Sequence, residues 1–349
     1  MIGFVKNWAR GLVAAAGLLA LSLPAQAQKV RVGLVGTGSD IGIFIADRKG
    51  YFKAEGLEVE MISFTTAAKM IAPLGAGQLD VGGGTVAAGL YNAAARNIDI
   101  KIVADKGSIR PGYNFSSLVL RKDLVESGRY KSFADLKGMK VAIAAYGTGN
   151  AATLMAALEK GGLKWSDVDT VELGFPQHVA GMTTKAIDAS IINEPLSSTA
   201  VSRGLAVRAP GDDTIYPDHQ VAVLLYATAF SKSQPVAAGK FMRAYLRGVR
   251  DYNDGLANGR IAGPNADEVI RILVESTESK DPNVHRSTTP AFVDPDGRVN
   301  VESLNRDLSF FKEQKWVESA TMKAEDMLDM SFAEKAVKEL GPYTPKAAR

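Results

Sequence analysis

Two short stretches hold the residues best suited to gripping a small molecule. Residues 29–39 read KVRVGLVGTGS and residues 140–150 read KVAIAAYGTGN. Each starts Lys-Val, runs through an apolar segment of strand character and ends Gly-Thr-Gly before a polar residue that can open a helix. Backbone N–H groups at such a turn, aided by the following helix dipole, suit an anionic head group, although the glycines could simply make turns. The candidates are Thr37, Gly38, Ser39 and Asp40 in the first copy and Thr148, Gly149 and Asn150 in the second. Gly84 and Thr85, closing LGAGQLDVGGGT, form a third loop of this kind.

Other side chains lie beside these loops in the sequence. Tyr146 precedes the second Gly-Thr-Gly and Phe175 follows a strand-like run, so either ring is placed to stack on a ligand or to fill core. Asn193 and Glu194 follow the apolar run SII; the Glu194 carboxylate can accept from a ligand amine or amide, or cap nearby backbone. Thr65 belongs to the hydroxyl-bearing loop 63–66, and His219-Gln220 stands just before another apolar strand, within reach of a ligand from the wall. Arg110 is the candidate countercharge, weighed against an ordinary solvated loop cation. Gly147-x-Gly149-x-x-Ala152 also fits a dinucleotide fingerprint, but the match is weak: the first copy carries Ile41 at the third position, and no acidic residue stands convincingly at a strand end about twenty residues on. His178, His219 and His285 are scattered and make no metal site.

The elements that position these groups repeat as well. Gln78-Leu79-Asp80-Val81 and Ala186-Ile187-Asp188-Ala189 sit at similar offsets behind the two loops. The duplication predicts two related α/β lobes, each with its Gly-Thr-Gly loop at the carboxyl end of a strand, where open α/β sheets bind ligands, and a cleft between them. Runs 115–120 and 222–227 read as strands leaving and re-entering the first lobe. Pro235 starts a helix whose Phe241, Tyr245, Val249 and Tyr252 recur at helical spacing and read as core. Further helices are expected over 266–275, 301–314 and 322–340, and Asp294-Pro295-Asp296-Gly297 reads as a turn lacking calcium-loop spacing.

Composition sets the compartment and excludes several chemistries. The 349 residues, 46% of them hydrophobic, suffice for two domains with cores. Lys6 and Arg10, the run GLVAAAGLLALSL and Ala25-Gln26-Ala27 form a cleavable export signal over residues 1–27. Removing Lys6 and Arg10 from the 41 basic residues leaves 39 against 38 acidic ones, so the exported protein is near neutral and nothing argues for nucleic acid. The chain has no cysteine, which excludes disulfides, thiolate nucleophiles, zinc–thiolate sites and a lipid-modified N-terminal Cys. A free periplasmic monomer without cofactor is expected.

The segments GTGSDIGIFIADRKGYFKAEGLEVEMI, LGAGQLDVGGGT and INEPLSSTAVSRGLA together resemble the nitrate/sulfonate/taurine group of ABC-transporter periplasmic substrate-binding proteins, a superfamily that includes thiamine-pyrimidine binders and synthases. The resemblance spans about residues 30–250, and A-x-x-K-G-Y-F-x-x-E-G-L-x-V, from Ala46 to Val59, is its most specific piece. Lys185 departs from the pattern, because the second G-x-x-D turn of the family carries Gly there. The resemblance implies a two-lobed type II periplasmic-binding-protein fold: lobe one over 28–117, lobe two over 118–221, and a return to lobe one with C-terminal helices over 222–349. The two connecting strands are then hinge crossings, and the Glu194-Pro195 pair lies at the ligand. It further implies capture of a small organic solute (sulfonate, carboxylate or aromatic heterocycle) by hinge closure and delivery to a membrane permease. The rival readings are an enzyme of the pyrimidine-synthase type, whose cysteine-rich motif this chain cannot form, and a ligand-sensing subunit. Ligand contact predicts that Glu194→Ala and Tyr146→Ala each weaken binding without unfolding the protein.

Overall fold

The computed structural model describes residues 27–210 and 214–346; the expected export signal, residues 1–27, lies outside them up to residue 26. Ten strands build two five-stranded sheets. The first contains β1 (Gln28–Leu34), β2 (Leu57–Ser63), β3 (Val81–Thr85), β4 (Ile100–Gly107) and, from much later in the chain, β10 (Ala222–Ala227). The second contains β5 (Ser116–Arg121), β6 (Lys140–Ile143), β7 (Asp169–Glu172), β8 (Ala189–Asn193) and β9 (Ala206–Arg208). Strand orders are β2-β1-β3-β10-β4 and β7-β6-β8-β5-β9. In the first, β10 runs antiparallel to β3 and β4; in the second, β5 runs antiparallel to β8 and β9. The two sheets are copies of one topology. The chain passes from β4 to β5 and returns from β9 to β10, giving an α/β fold of two units joined by two crossings.

The sequence repeat has a local cause. Asp80, just before β3, accepts the backbone N–H of Arg31 on β1 at 2.8 Å, and Asp188, just before β8, accepts that of Lys140 on β6 at 3.0 Å. Each carboxylate thereby pins the incoming strand against its parallel neighbour. The turn feeding it needs a left-handed residue three places earlier: Gly77 has φ 68° and Lys185 has φ 60°. The lysine accepts the conformation that the glycine takes freely.

Two expectations need correction. Gly82–Gly84 are not a loop after a strand but the strand β3 itself. Glycine is required there by close approach: a Cβ on Gly84 would stand 2.3 Å from the Ala67 Cβ, and one on Gly83 would stand 2.7 Å from the Lys106 Cε. The helix expected over 322–340 is broken into a 3-10 turn, Ala324–Met327, and a helix, Ser331–Leu340. Between them the Asp329 N–H donates to the Ile102 carbonyl at 2.9 Å, so the segment docks beside β4, the last strand of its sheet, in place of continuing as a helix.

Helices Ile41–Arg48 and Pro235–Asn253 cover the first sheet, and Phe241, Tyr245, Val249 and Tyr252 are all buried, as their spacing predicted. The turn at residues 294–297 closes with Gly297 at φ 75° and its N–H on the Asp294 carbonyl at 2.9 Å.

Candidate functional site

The first Gly-Thr-Gly turn leaves β1 and folds back on its own aspartate. One oxygen of Asp40 accepts from Gly36 N at 2.8 Å and Thr37 N at 3.0 Å. The other lies 2.7 Å from the Lys106 Nζ, which also donates to Ser39 Oγ at 2.8 Å. Gly38 N donates across to the Glu194 carbonyl at 2.9 Å. The N–H groups of Gly36, Thr37 and Gly38 are therefore taken inside the protein, the first two by a carboxylate three or four residues along.

Lys106 is the residue the sequence reading missed. It enters from β4 with about 1% of its side chain exposed, its stem lying across the bare face of Gly83. A signal was present, since Asp105-Lys106 interrupts an otherwise apolar strand, and buried charges of that kind must be paired. Asp105 is wholly buried and accepts from Gln220 Nε2 at 2.6 Å and Asp294 N at 2.6 Å; burial nonetheless pushes its pKa up to about 6.

From the second sheet, the turn after β6 meets the first unit directly. Gly149 N donates to Thr85 Oγ1 at 3.0 Å and Ala88 N donates to the Gly147 carbonyl at 2.7 Å, so the two glycine-rich edges are stitched together. Asn150, one residue into helix Gly149–Lys160, donates from Nδ2 to Asn193 Oδ1 at 3.2 Å and to Ser116 Oγ at 3.3 Å. Phe175 opens helix Phe175–Thr183 with its ring 5.5 Å from His178.

Between these edges lies a cavity of about 360 Å3, part of it open to solvent. Thr37, Ser39, Thr66, Gly84, Thr85 and Lys106 line it from the first sheet's loops and strands; Asn150, Phe175 and Asn193 line it from the second. Ala144, Val35 and Val221 supply apolar walls. A larger hollow of about 800 Å3 lies between helices Gly149–Lys160 and Val301–Glu313, touches none of the glycine loops and is more open to solvent. The smaller cavity is the candidate site, because both sheets present polar groups to it from the carboxyl ends of parallel strands.

The remaining expected residues do not line this cavity. Glu194 is buried, but it accepts from Ser198 N at 3.1 Å, Ser198 Oγ at 2.9 Å and Thr289 N at 3.2 Å, and it is ion-paired to Arg208. Its capping alternative is the observed one. Tyr146 is 40% exposed, donates its hydroxyl to the Thr170 carbonyl at 3.0 Å and packs on Trp316 and Trp165. His219 is fully buried between Asp307 (2.9 Å) and Thr153 (3.3 Å) and stacks on Tyr216. Gln220 ties Asp105 to Asn300. Thr65 is exposed, leaving its neighbour Thr66 to face the cavity. Thr148 turns its hydroxyl onto the Ala145 carbonyl at 2.7 Å. Gly38, Asp40 and Gly149 stand behind the lining residues and position them. Arg110 pairs with Asp218 at 3.1 Å, and the candidate countercharge is a loop ion pair.

Comparison with known proteins agrees with this architecture. Residues 39–254 match the family model described as NMT1/THI5 like, and the chain belongs to that family. A protein of Brucella abortus named "putative binding protein" is 30% identical over 228 residues, covering 64% of this chain; the chain thus spans 66%, just under two thirds, of that relative's length. Among solved structures, the periplasmic nitrate-binding protein NrtA from Synechocystis superposes with a TM-score of 0.72 at 16% identity, covering 90% of this chain and 89% of that one. The alkanesulfonate-binding protein SsuA from Xanthomonas axonopodis, bound to MOPS, gives 0.66 at 16% identity over 86% and 98%. The desulfurization enzyme DSZB gives 0.61 at 13% identity over 90% and 100%. Such superpositions, at identities this low, show a shared fold and nothing finer, one that serves binding proteins and an enzyme alike. Among the described residues, no helix is long and apolar enough to cross a membrane.

Proposed function

We propose that this chain is an extracytoplasmic solute-binding protein: it captures a small organic molecule between its two units by hinge closure and hands it to an ABC permease. The observation that carries the reading is the cavity walled by Ser39, Thr85 and Lys106 on one side and Asn150, Phe175 and Asn193 on the other. A ligand that contacts both halves of a site divided between two units joined by two strand crossings favours the closed state by its differential affinity. In this reading residues 1–27 are a cleaved export signal, residues 28–117 and 222–349 form one lobe, residues 118–221 form the other, and the protein works as a periplasmic monomer. Relatives and structural neighbours named as binding proteins support transport over catalysis, and Lys106, the amine beside the Ser39 hydroxyl, is engaged in an ion pair with Asp40.

A thermal-shift panel on the chain from Gln28, with sulfonates, carboxylates, nitrate, aromatic acids, amides and pyrimidines, tests this. A ligand at a hundredfold its dissociation constant adds about 2.7 kcal/mol of stability. A stabilising compound recovered chemically unchanged supports binding and delivery; conversion of the compound overturns it in favour of an enzyme.

A further inference from the structure

We infer that the cavity selects an uncharged solute bearing an amide-type edge, a donor and an acceptor side by side, and disfavours the sulfonate, carboxylate and nitrate anions that a glycine-loop cradle would suggest. This rests on the solute-binding reading above and names the chemistry of that site.

Two observations carry it. The first is charge. Lys106 is the only charged residue among the described residues lining the cavity, and it is already neutralised: its Nζ lies 2.7 Å from Asp40, both side chains almost completely buried. An anion entering would meet a net-neutral wall, with the loop N–H groups of Gly36 and Thr37 occupied by Asp40 and that of Gly38 by the Glu194 carbonyl. Desolvating an ionised group without a free partner is costly, whereas a neutral polar group needs only hydrogen bonds. The second is the asparagine pair. Asn150 uses Nδ2 for Asn193 Oδ1 and Ser116 Oγ, leaving Oδ1 as an acceptor; Asn193 accepts on Oδ1, leaving Nδ2 as a donor. Asn150 is 1% exposed and Asn193 8%, and both line the cavity, so this free acceptor and free donor stand at its wall with no protein partner among the described residues. A primary amide, urea or lactam edge satisfies both at once. Its carbonyl accepts from Asn193 and its N–H donates to Asn150, while the Phe175 ring and Val35 cover an apolar remainder.

The test uses isosteric sets that differ in charge: acetamide, acetate and methanesulfonate; benzamide, benzoate and benzenesulfonate; and urea against nitrate. Each is titrated by calorimetry into the chain from Gln28 and into two variants. The expected result is measurable binding of the amides, tighter than of the matched anions and little changed by salt. Asn193→Asp, which replaces the free donor by an acceptor, lowers amide affinity about tenfold, the loss of one buried hydrogen bond. Asp40→Asn, which releases the Lys106 charge, raises benzoate and benzenesulfonate affinity over the parent. Anions binding the parent more tightly than their amides would overturn the inference and leave the solute-binding reading intact. Amide binding unaffected by Asn193→Asp removes the asparagine pair from the site, and no response to any amide rejects the amide edge; in both cases the wider panel above still judges whether the protein binds a solute. Should Asp40→Asn fail to fold, the parent series and Asn193→Asp decide the matter.

Discussion

Thr85 Oγ1 accepts the backbone N–H of Gly149 at 3.0 Å, joining the end of β3 in the first sheet to the start of a helix in the second. The contact spans the two units, and it is tight. A Cβ on Gly149 would stand 2.6 Å from that hydroxyl oxygen and 3.3 Å from the Val221 carbonyl.

Gly149→Ala should therefore hold the cleft ajar without touching either core. Losing one hydrogen bond, about 1 kcal/mol, with added steric repulsion lowers ligand affinity about tenfold. Small-angle scattering should show a larger radius of gyration in the ligand-saturated variant than in the saturated parent. Equal radii and equal affinity would falsify the closing role of this contact.

Tyr146, Trp165, Trp316 and Phe310 form a second closing contact, with Trp165 and Trp316 centroids 5.4 Å apart. Tyr146 and Trp165 belong to the second unit, Phe310 and Trp316 to the C-terminal helical layer. Tyr146→Ala is expected to weaken ligand binding by less than Gly149→Ala, through closure and not contact. Tryptophan fluorescence should change on ligand addition in the parent and less in the variant. An unchanged ligand response in the variant would count against the latch.

Glu194→Ala should destabilise, contrary to the expectation of a ligand contact. Removing the carboxylate leaves the partly exposed Arg208 without its partner and frees the Ser198 and Thr289 N–H groups, a loss of about 2 kcal/mol by the usual cost of unpaired buried hydrogen-bonding groups. A urea midpoint equal to the parent's would contradict this placement.

Lys185→Gly is expected to stabilise by about 1 kcal/mol, because glycine enters the φ 60° position without the left-handed penalty. Part of that gain is offset by the greater freedom of glycine in the unfolded chain. The ion pair of Lys185 with Asp123, between exposed side chains, is a minor loss. The melting temperature should rise by about 2 °C.

His178 gives the protein an acid-sensitive core. Burial between Ser190 Oγ and the Leu173 carbonyl lowers its pKa from 6.5 to about 4. A depressed folded-state value stabilises the fold above pH 6.5, and that contribution fades as pH falls through 4. The full loss is about 3 kcal/mol. Asp105, raised from 3.8 to about 6, acts oppositely: its contribution is greatest below pH 4 and is lost as pH rises through 6. The urea midpoint of His178→Asn should fall less than the parent's between pH 6.5 and 4.5. Parallel curves would remove His178 from the acid response.

Legibility followed range. Asp80 and Asp188, read only as a repeated spacing, turned out to pin equivalent strands through the same backbone bond, so the internal duplication was a statement about topology. Thr37, Ser39, Thr85, Asn150, Phe175 and Asn193 were legible as lining residues because strand ends and helix starts place them locally. Tyr146, Glu194, His219 and Gln220 do not line the cavity: Trp316, Asp307 and Asp105, the partners of Tyr146, His219 and Gln220, come from distant parts of the chain, and Arg208, the partner of Glu194, lies 14 residues on.

The sequence alone determined the two α/β units, the paired loops and the family pattern, since strand alternation, glycine turns and repeat spacing act over a few residues at a time. Only the tertiary structure decided what the loops do. Lys106 crosses Gly83 to meet Asp40, and Asp40 claims the N–H groups of its own turn. A buried charge must find its countercharge wherever the fold brings one, and that partner is set by packing between sheets, not by distance along the chain.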